Sequence, residues 1–355
     1  MNILGKINHR RMKIMGGMAG NIGVARQFPI EMAKVKRILI TRPNGRLGNL
    51  LLITPLLQEI EAIFPDAKID LFVKGRMASS LFRNYHNIER IIQLPNKPFN
   101  NLLRYAWAWL CLKKHHYDLV VNAVNYSSSG RLSTKFATSR HKFFGDIDET
   151  VQSKYIDYRH IAKAPVYNLR HYLNALDLSE RRQIAPLNLK LTKDELSEGQ
   201  SILSTLTGGN KKTICLFTYA TGRKCYPAEW WLPFYERLKS EYPDYNIIEV
   251  LPIENVSQIG FKAPVFYSSD VRKIAALIAN TSVFIGADSG IMHLACAAGA
   301  PVIGLFRASN PSVYRPYNCY STAIDTNIMD DDSIIASMNA ILYTQASPVL
   351  MANCN

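Results

Sequence analysis

The sequence lacks several features that would have decided its class at once. No apolar run approaches the roughly 18–20 residues that a membrane-spanning helix needs. There is no Cys-x-x-Cys pair and no histidine at zinc-ligand spacing, so no zinc module is expected. No internal repeat or low-complexity tract occurs, which argues against a solenoid or a disordered linker protein. Its glycine turns lack the Gly-Lys-Ser/Thr ending of a Walker loop. Cysteine is sparse: Cys111, Cys215, Cys225, Cys296, Cys319 and Cys354 are the only six, several of them inside apolar runs such as "TICLFT" and "HLACAAG". Buried free thiols in a reducing cytoplasm are the expected state. Acidic residues are also scarce, 28 against 42 Lys and Arg, a formal charge of +14 over 355 residues. That excess favours an anionic partner. The chain shows no interleaving of stacked aromatic and basic residues, which argues against nucleic acid and leaves a phosphorylated substrate or an acidic membrane surface.

What is present fits a globular protein. The apolar fraction is 48% and the charged fraction 20%, and the length suits about two domains. Residues 1–36 read as a basic N-terminal arm. Gly16, Gly17, Gly20 and Gly23 dilute it too far for a signal peptide. Its first part suits either a flexible arm or an interfacial helix with Ile3, Leu4 and Ile7 opposite Lys6, Arg10, Arg11 and Lys13.

From Arg37 short apolar strands alternate with amphipathic helices. "RILIT" leads into a predicted helix over 49–64, and the alternation continues through "KIDLFV", "RIIQL", "DLVVNAV" and "HKFFG" to a Tyr-rich irregular stretch at 146–167. Residues 180–192 are the linker candidate. The pattern restarts over 193–330 with "TICLFT", a helix over 228–241, "YNIIEVL", "SVFIGAD" and "PVIGLF", and 331–355 form a C-terminal helix and tail. The expected fold is therefore α/β, with two Rossmann-like lobes (37–179 and 193–330) whose parallel sheets face a cleft. Ligands of such sheets bind beyond the carboxyl ends of strands.

Three turns at such positions stand out. In "SVFIGADSGIMHLACAAGAPVIGLF", Asp288-Ser289-Gly290 joins a strand to a helix whose first amides lack intrahelical partners. Directed N–H groups and the helix dipole favour an anion there by roughly 0.3–2 kcal/mol. Gly290 permits close approach, and Ser289 and His293 add polar groups. An ordinary βαβ turn, capped by Asp288 and with His293 a satisfied polar residue, is the competing reading. In "TYATGRKCYPAEWW", Thr221, Gly222, Arg223 and Lys224 present a hydroxyl, bare backbone and two cations, suited to charge building on a departing diphosphate. A solvated loop is the alternative, and Trp230 and Trp231 read as core. The third turn is "RPNGRLGNLLLITP", where Gly45, Arg46 and Gly48 shape a strand-to-helix turn and Asn49 stands at the helix mouth, at the least as its cap.

These turns, in this order, resemble the heptosyltransferase-type glycosyltransferases of family 9, from about Arg37 to Pro316. The resemblance rests on "GRLGNLLLITPLL", "FPDAKIDLFV", "KCYPAEWW" and above all "FIGADSGIMHLACAAGAPVIGLF". It implies a GT-B fold and an inverting, metal-independent transfer, without cofactor, from a nucleotide-diphospho-sugar, with ADP-heptose favoured. The implied acceptor is a lipopolysaccharide core or related lipid-linked sugar. It also implies that Asp288, Ser289, Gly290 and His293 hold the donor diphosphate region, that Thr221 and Lys224 flank it, and that Gly48 shapes the acceptor-side turn. A peripheral protein on the cytoplasmic face of an anionic inner membrane follows.

One position departs from the family. Where its pattern has an aspartate, taken as the base on the acceptor hydroxyl, this chain has Asn49. An amide accepts no proton at neutral pH, and general-base help is worth about 10² to 10⁴ in rate. Three readings stay open: another carboxylate serves, with Asp146, Asp148 and Glu149 in "FFGDIDET" as candidates; Asn49 only orients the hydroxyl; or the protein binds without turnover. The "DID" also matches a metal-binding Asp-x-Asp, against which the two-lobed pattern argues. In "NYSSSGR", Ser129 and Arg131 are acceptor-side candidates. In "LLRYAWAWLCLKKHH", Trp107 and Trp109 lie beside a basic cluster, suited to lobe packing or to a membrane interface. A nucleotide-sugar epimerase on the same architecture is the rival enzyme class.

Overall fold

The computed structural model describes residues 30–124, 126–147, 149–173, 182–209 and 211–346. The basic arm up to residue 29, Asp148 and the tail beyond 346 lie outside these residues. Along the first half run β1 (Arg37–Arg42), α1 (Leu47–Leu51), α2 (Thr54–Ile63), β2 (Lys68–Lys74), α3 (Met77–Leu81), β3 (Ile88–Leu94), α4 (Leu102–Lys114), β4 (His116–Asn122), α5 (Ser128–Phe136), β5 (Thr138–Phe143), α6 (Glu149–Lys154) and α7 (Ala164–Tyr172). The second half adds α8 (Lys193–Thr207), β6 (Thr213–Phe217), α9 (Ala228–Glu241), β7 (Asn246–Val250), β8 (Val265–Phe266), α10 (Val271–Ala279), β9 (Val283–Ala287), α11 (Gly290–Ala297), β10 (Val302–Phe306), α12 (Pro311–Tyr314), β11 (Thr322–Asp325) and α13 (Asp331–Ala346).

The chain forms two compact units, one containing residues up to Gly45 and Pro55–Ala185, the other Arg46–Thr54 and the chain from Pro186. The first holds a parallel five-stranded sheet in the order β3-β2-β1-β4-β5. Six parallel strands make up the sheet of the second, in the order β11-β10-β9-β6-β7-β8. Both are Rossmann orders, in which the first strand of the unit lies at the point where the winding reverses. Central strands covered on both faces must be largely apolar, and β6, β9 and β10 are buried along their whole length. The α/β architecture expected from the alternation, with two parallel Rossmann-like sheets, is thus present.

Several local expectations are corrected. The single helix predicted over 49–64 is two, because Pro55 has no N–H to give Leu51 and its ring opposes that carbonyl. The Thr54 hydroxyl donates to the Leu51 carbonyl instead, at 2.8 Å. Arg46, not Asn49, is the N-cap of α1, so Asn49 lies inside that helix. The stretch at 146–167 contains α6 and the start of α7. The described part of the linker candidate is no loose tether: Leu187 and Leu189 are buried, and the Leu189 amide donates to the Ala297 carbonyl. The buried Arg272 guanidinium donates to the carbonyls of Leu189 and Lys190 and pairs with Glu195 at 2.6 Å. Glu195 also completes the capping box of α8 with Thr192. Cys111, Cys215, Cys225 and Cys296 are free, as expected, but Cys319 is disulfide-bonded.

Gly199 shows why sequence propensity can mislead. A glycine inside a helix costs roughly 1 kcal/mol relative to alanine. Here a Cβ would stand 2.2 Å from the carbonyl oxygen of Ala276, so only glycine lets α8 lie this close to α10. Gly199→Ala should therefore destabilise the protein by about 3 kcal/mol despite the better helix propensity. Urea denaturation with an unchanged midpoint would refute that packing.

Candidate functional site

Strand order builds the site. β6 and β9 are neighbours at the reversal point of the second sheet, so the segments leaving their carboxyl ends meet. β6 leads to Thr221–Lys224 and β9 to Asp288–Ser289, ahead of α11. The Lys224 ammonium reaches the Asp288 carboxylate at 2.5 Å. Ser309, beyond β10, donates to the same carboxylate oxygen at 2.6 Å. The Asp288 side chain is only 4% exposed, and a charge so buried requires such partners. The Lys224 ammonium lies 5.4 Å from the Tyr314 ring centre, near enough for a cation–π contact. Asp288 therefore acts on Lys224, holding the cation in place while part of it still meets solvent.

α11 begins with Ser289 as N-cap, its hydroxyl accepting from the Met292 amide at 3.2 Å; Asp288 does not cap the helix. The amides of Gly290 and Ile291 donate to no acceptor among the described residues. Ser289, Gly290 and Ile291 are half-buried, so this mouth is not packed shut. Thr221, Gly222 and Arg223 are exposed in a turn just before Lys224. Glu249 anchors the root of this loop: the Thr218 hydroxyl donates to its carboxylate at 2.5 Å and Ser257 at 2.6 Å. Burial raises the Glu249 carboxyl above its ordinary range, against the lowering effect of these two bonds.

The third turn packs onto the same helix. A Cβ on Gly48 would lie 2.9 Å from His293 Cδ2, and one on Gly290 would lie 3.1 Å from the Leu47 Cβ. Two glycines facing each other let α1 approach the start of α11 backbone to backbone. Asn49 is half-buried, and its carboxamide has no hydrogen-bond partner among the described residues. His293, expected to reach an anion as a polar ring, is buried instead. Its Nε2 lies 3.7 Å from Asp288 Oδ1, beyond hydrogen-bond range, and its ring centre 6.5 Å from that of Tyr314. Burial pushes its pKa down to about 4, outweighing the attraction of Asp288, and the Lys224 charge pushes the same way. The ring is neutral at pH 7.

The remaining candidates belong to the first unit. Gly45 follows β1, and a Cβ there would stand 2.7 Å from the Lys74 carbonyl oxygen. Ser127 caps α5, accepting from the Gly130 amide, and Ser129 lies in the first turn. Arg131 is ion-paired with Asp146 and stacks 5.5 Å from the Phe144 ring centre. The carboxylate proposed as a substitute base thus has an oxygen engaged by a guanidinium. Glu149 is exposed at the start of α6. Among the described residues no group of three His, Cys, Asp or Glu could hold a metal ion. Ser309, Tyr314 and Glu249 were missed at the sequence level. Only Ser309 left a signal there, its place just past a strand's carboxyl end.

The state of His293 makes stability pH-dependent. Its folded pKa lies below the ordinary 6.5, so between pH 6.5 and about 4 the unfolded chain binds more protons, and stability falls as pH is lowered through that window. His293→Gln should flatten this dependence. Denaturant midpoints across the window would measure it, and an equal slope in both proteins would show that His293 is not the group responsible.

Residues 268–332, spanning the start of α11 and Ser309, match the model of glycosyltransferase family 9 (heptosyltransferase). The chain is 23% identical over 325 residues to lipopolysaccharide heptosyltransferase 1 of Campylobacter coli, across 82% of this chain and 87% of that protein. A glycosyl transferase family 9 structure from Veillonella parvula superposes with a TM-score of 0.67 at 17% identity, over 87% of this chain and 97% of that one. The heptosyltransferase WaaC of E. coli, solved with ADP, gives a TM-score of 0.64 at 15% identity, over 86% and 99%. Signature segment, sequence similarity and fold all point the same way, to a likeness with the heptosyltransferase-type glycosyltransferases of family 9.

Proposed function

We propose that this protein is an inverting, metal-independent glycosyltransferase that takes a sugar from a nucleotide-diphosphate donor, ADP-heptose by preference. The acceptor is a lipopolysaccharide core or related lipid-linked sugar, reached from the cytoplasmic face by a peripheral protein. The observation that carries this reading is the meeting of Lys224 with the open start of α11. Acceptor attack on the anomeric carbon breaks its bond to the diphosphate, and negative charge grows on the leaving oxygen. The Gly290 and Ile291 amides, the Thr221 hydroxyl, Arg223 and Lys224 are the donors available to that charge. Donors fixed before the reaction need no reorganisation during it, the usual source of the largest electrostatic gain. ADP as the leaving group is favoured by the ADP-bound relative, and a lipopolysaccharide acceptor by the name of the curated one.

The proton of the acceptor hydroxyl is the open step. Asn49 can accept a hydrogen bond from it and orient it, but cannot remove the proton. Asp146, Glu149 and Asp148, the last outside the described residues, are the carboxylates in contention. A second reading, a nucleotide-sugar binder without turnover, is favoured by the amide at position 49.

ADP should raise the melting temperature more than UDP does; no shift with either would overturn the donor assignment. Lys224→Ala should lower transfer by about 10²-fold or more, as losing one preorganised donor does. An undiminished rate would remove Lys224 from the mechanism. Asn49→Asp should raise transfer by about 10²-fold or more where no other base exists. A flat or reduced rate with that variant assigns the proton to another carboxylate, tested next with Asp146→Asn. ADP-heptose binding without transfer to any lipid acceptor would establish the second reading.

A further inference from the structure

In the first unit, α4 carries apolar side chains on both faces. Inward, Ala108 and Leu112 are buried, and Trp109 packs edge-on against Phe72 and Phe136. Outward, Leu103, Trp107 and Leu110 recur at i, i+4 and i+7, a single helical stripe, and are 88%, 62% and 56% exposed. The two tryptophans therefore divide: Trp109 serves packing, whereas Trp107 stands in solvent. The stripe edges a cavity of about 700 Å³. Arg104 lines that cavity and also a second one, of about 390 Å³, together with Arg76 and Lys97. Neither cavity has a carboxylate in its lining. Arg76, Lys97 and Arg104 are exposed and form no ion pair among the described residues. α4 itself has no acidic residue and ends in Lys113 and Lys114.

We propose that this face, with Leu103, Trp107 and Leu110 flanked by Arg76, Lys97 and Arg104, docks the protein on an anionic phospholipid bilayer. An aqueous surface leaves both parts unsatisfied: the apolar stripe stays wet, and the cations have one another and no carboxylate. The headgroup layer of an anionic membrane relieves both. Trp107 suits the boundary between headgroups and acyl chains, with Leu103 and Leu110 entering beside it. The three cations meet lipid phosphates, and Lys114 can extend its charge to the same plane. Charge complementarity selects this occupant over a protein partner, since nothing on the face offers a cation-seeking ligand a carboxylate to avoid. No described helix is long and apolar enough to cross a membrane, so contact of this kind is superficial. The proposal rests on the lipid-linked acceptor of the proposed function and names the surface that would bring the protein to it.

The test is co-sedimentation of the full chain with vesicles of phosphatidylcholine alone and of equal parts phosphatidylcholine and phosphatidylglycerol. Binding should require phosphatidylglycerol and weaken as salt is raised. Arg104→Ser and Lys97→Ser should each lower partitioning about fivefold, the equivalent of about 1 kcal/mol per basic residue near an anionic surface. Trp107→Ser should lower it about tenfold. All three variants should keep the thermal shift with ADP, which reports on the second unit, so loss of docking is separable from loss of the donor site. Failure of the wild-type chain to bind anionic vesicles, equal binding to both compositions, or unchanged binding by the variants would each overturn the proposal. So would a change of oligomeric state in Trp107→Ser with vesicle binding intact, which would assign the face to a second copy of the chain.

Discussion

A carboxylate kept ionised away from water needs charged or hydrogen-bonding partners, and in this protein Lys224 and Ser309 meet that need for Asp288. Asp288 directly follows a fully buried strand and is itself buried. Lys224 arrives on the neighbouring strand's loop and Ser309 from beyond the next. The three side chains thus tie together the segments that follow three strands of one sheet. Breaking such a pair by removing one partner leaves a buried charge unanswered, which is costly, so the site is part of the stability of the unit. Lys224 remains partly exposed, and this lets a structural ion pair double as an electrostatic resource.

The glycines serve the same end by a different route. Gly48 and Gly290 remove two side chains from one interface, and the close contact of α1 with the start of α11 follows. Because α1 belongs by contact to the second unit, Asn49 lies in the same unit as Ser289 and Gly290. His293 lies beneath this contact, neutral because it is buried. It acts on the site by filling space beside Asp288 rather than by charge. Asn49 is therefore held in a well-defined place. What its amide lacks is basicity, not position.

The proposed docking face illustrates how one helix can serve two solvents. α4 contributes Trp109 to the packing of its own sheet and Trp107 to the outside, two residues apart in sequence and on different sides of the helix. A sequence window sees an aromatic, basic segment. Which tryptophan is free depends on which face the sheet takes.

The alternation of strands and helices, the two-unit plan and the strand-end placement of the three turns were all legible in the sequence, because hydrophobic periodicity is local and strands covered on both faces read as short apolar runs. The helix over 228–241 was legible for the same local reason. Asn49 was visible as an amide, so its inability to take a proton followed from its chemistry alone. Tertiary structure decided the rest. It alone put Lys224 on Asp288, because adjacency of β6 and β9 is a property of strand order and not of spacing along the chain. It buried His293 and so neutralised it, paired Asp146 with Arg131, and joined residues 46–54 to the second unit. Each depends on contacts between residues far apart in sequence, whose energies no local window contains.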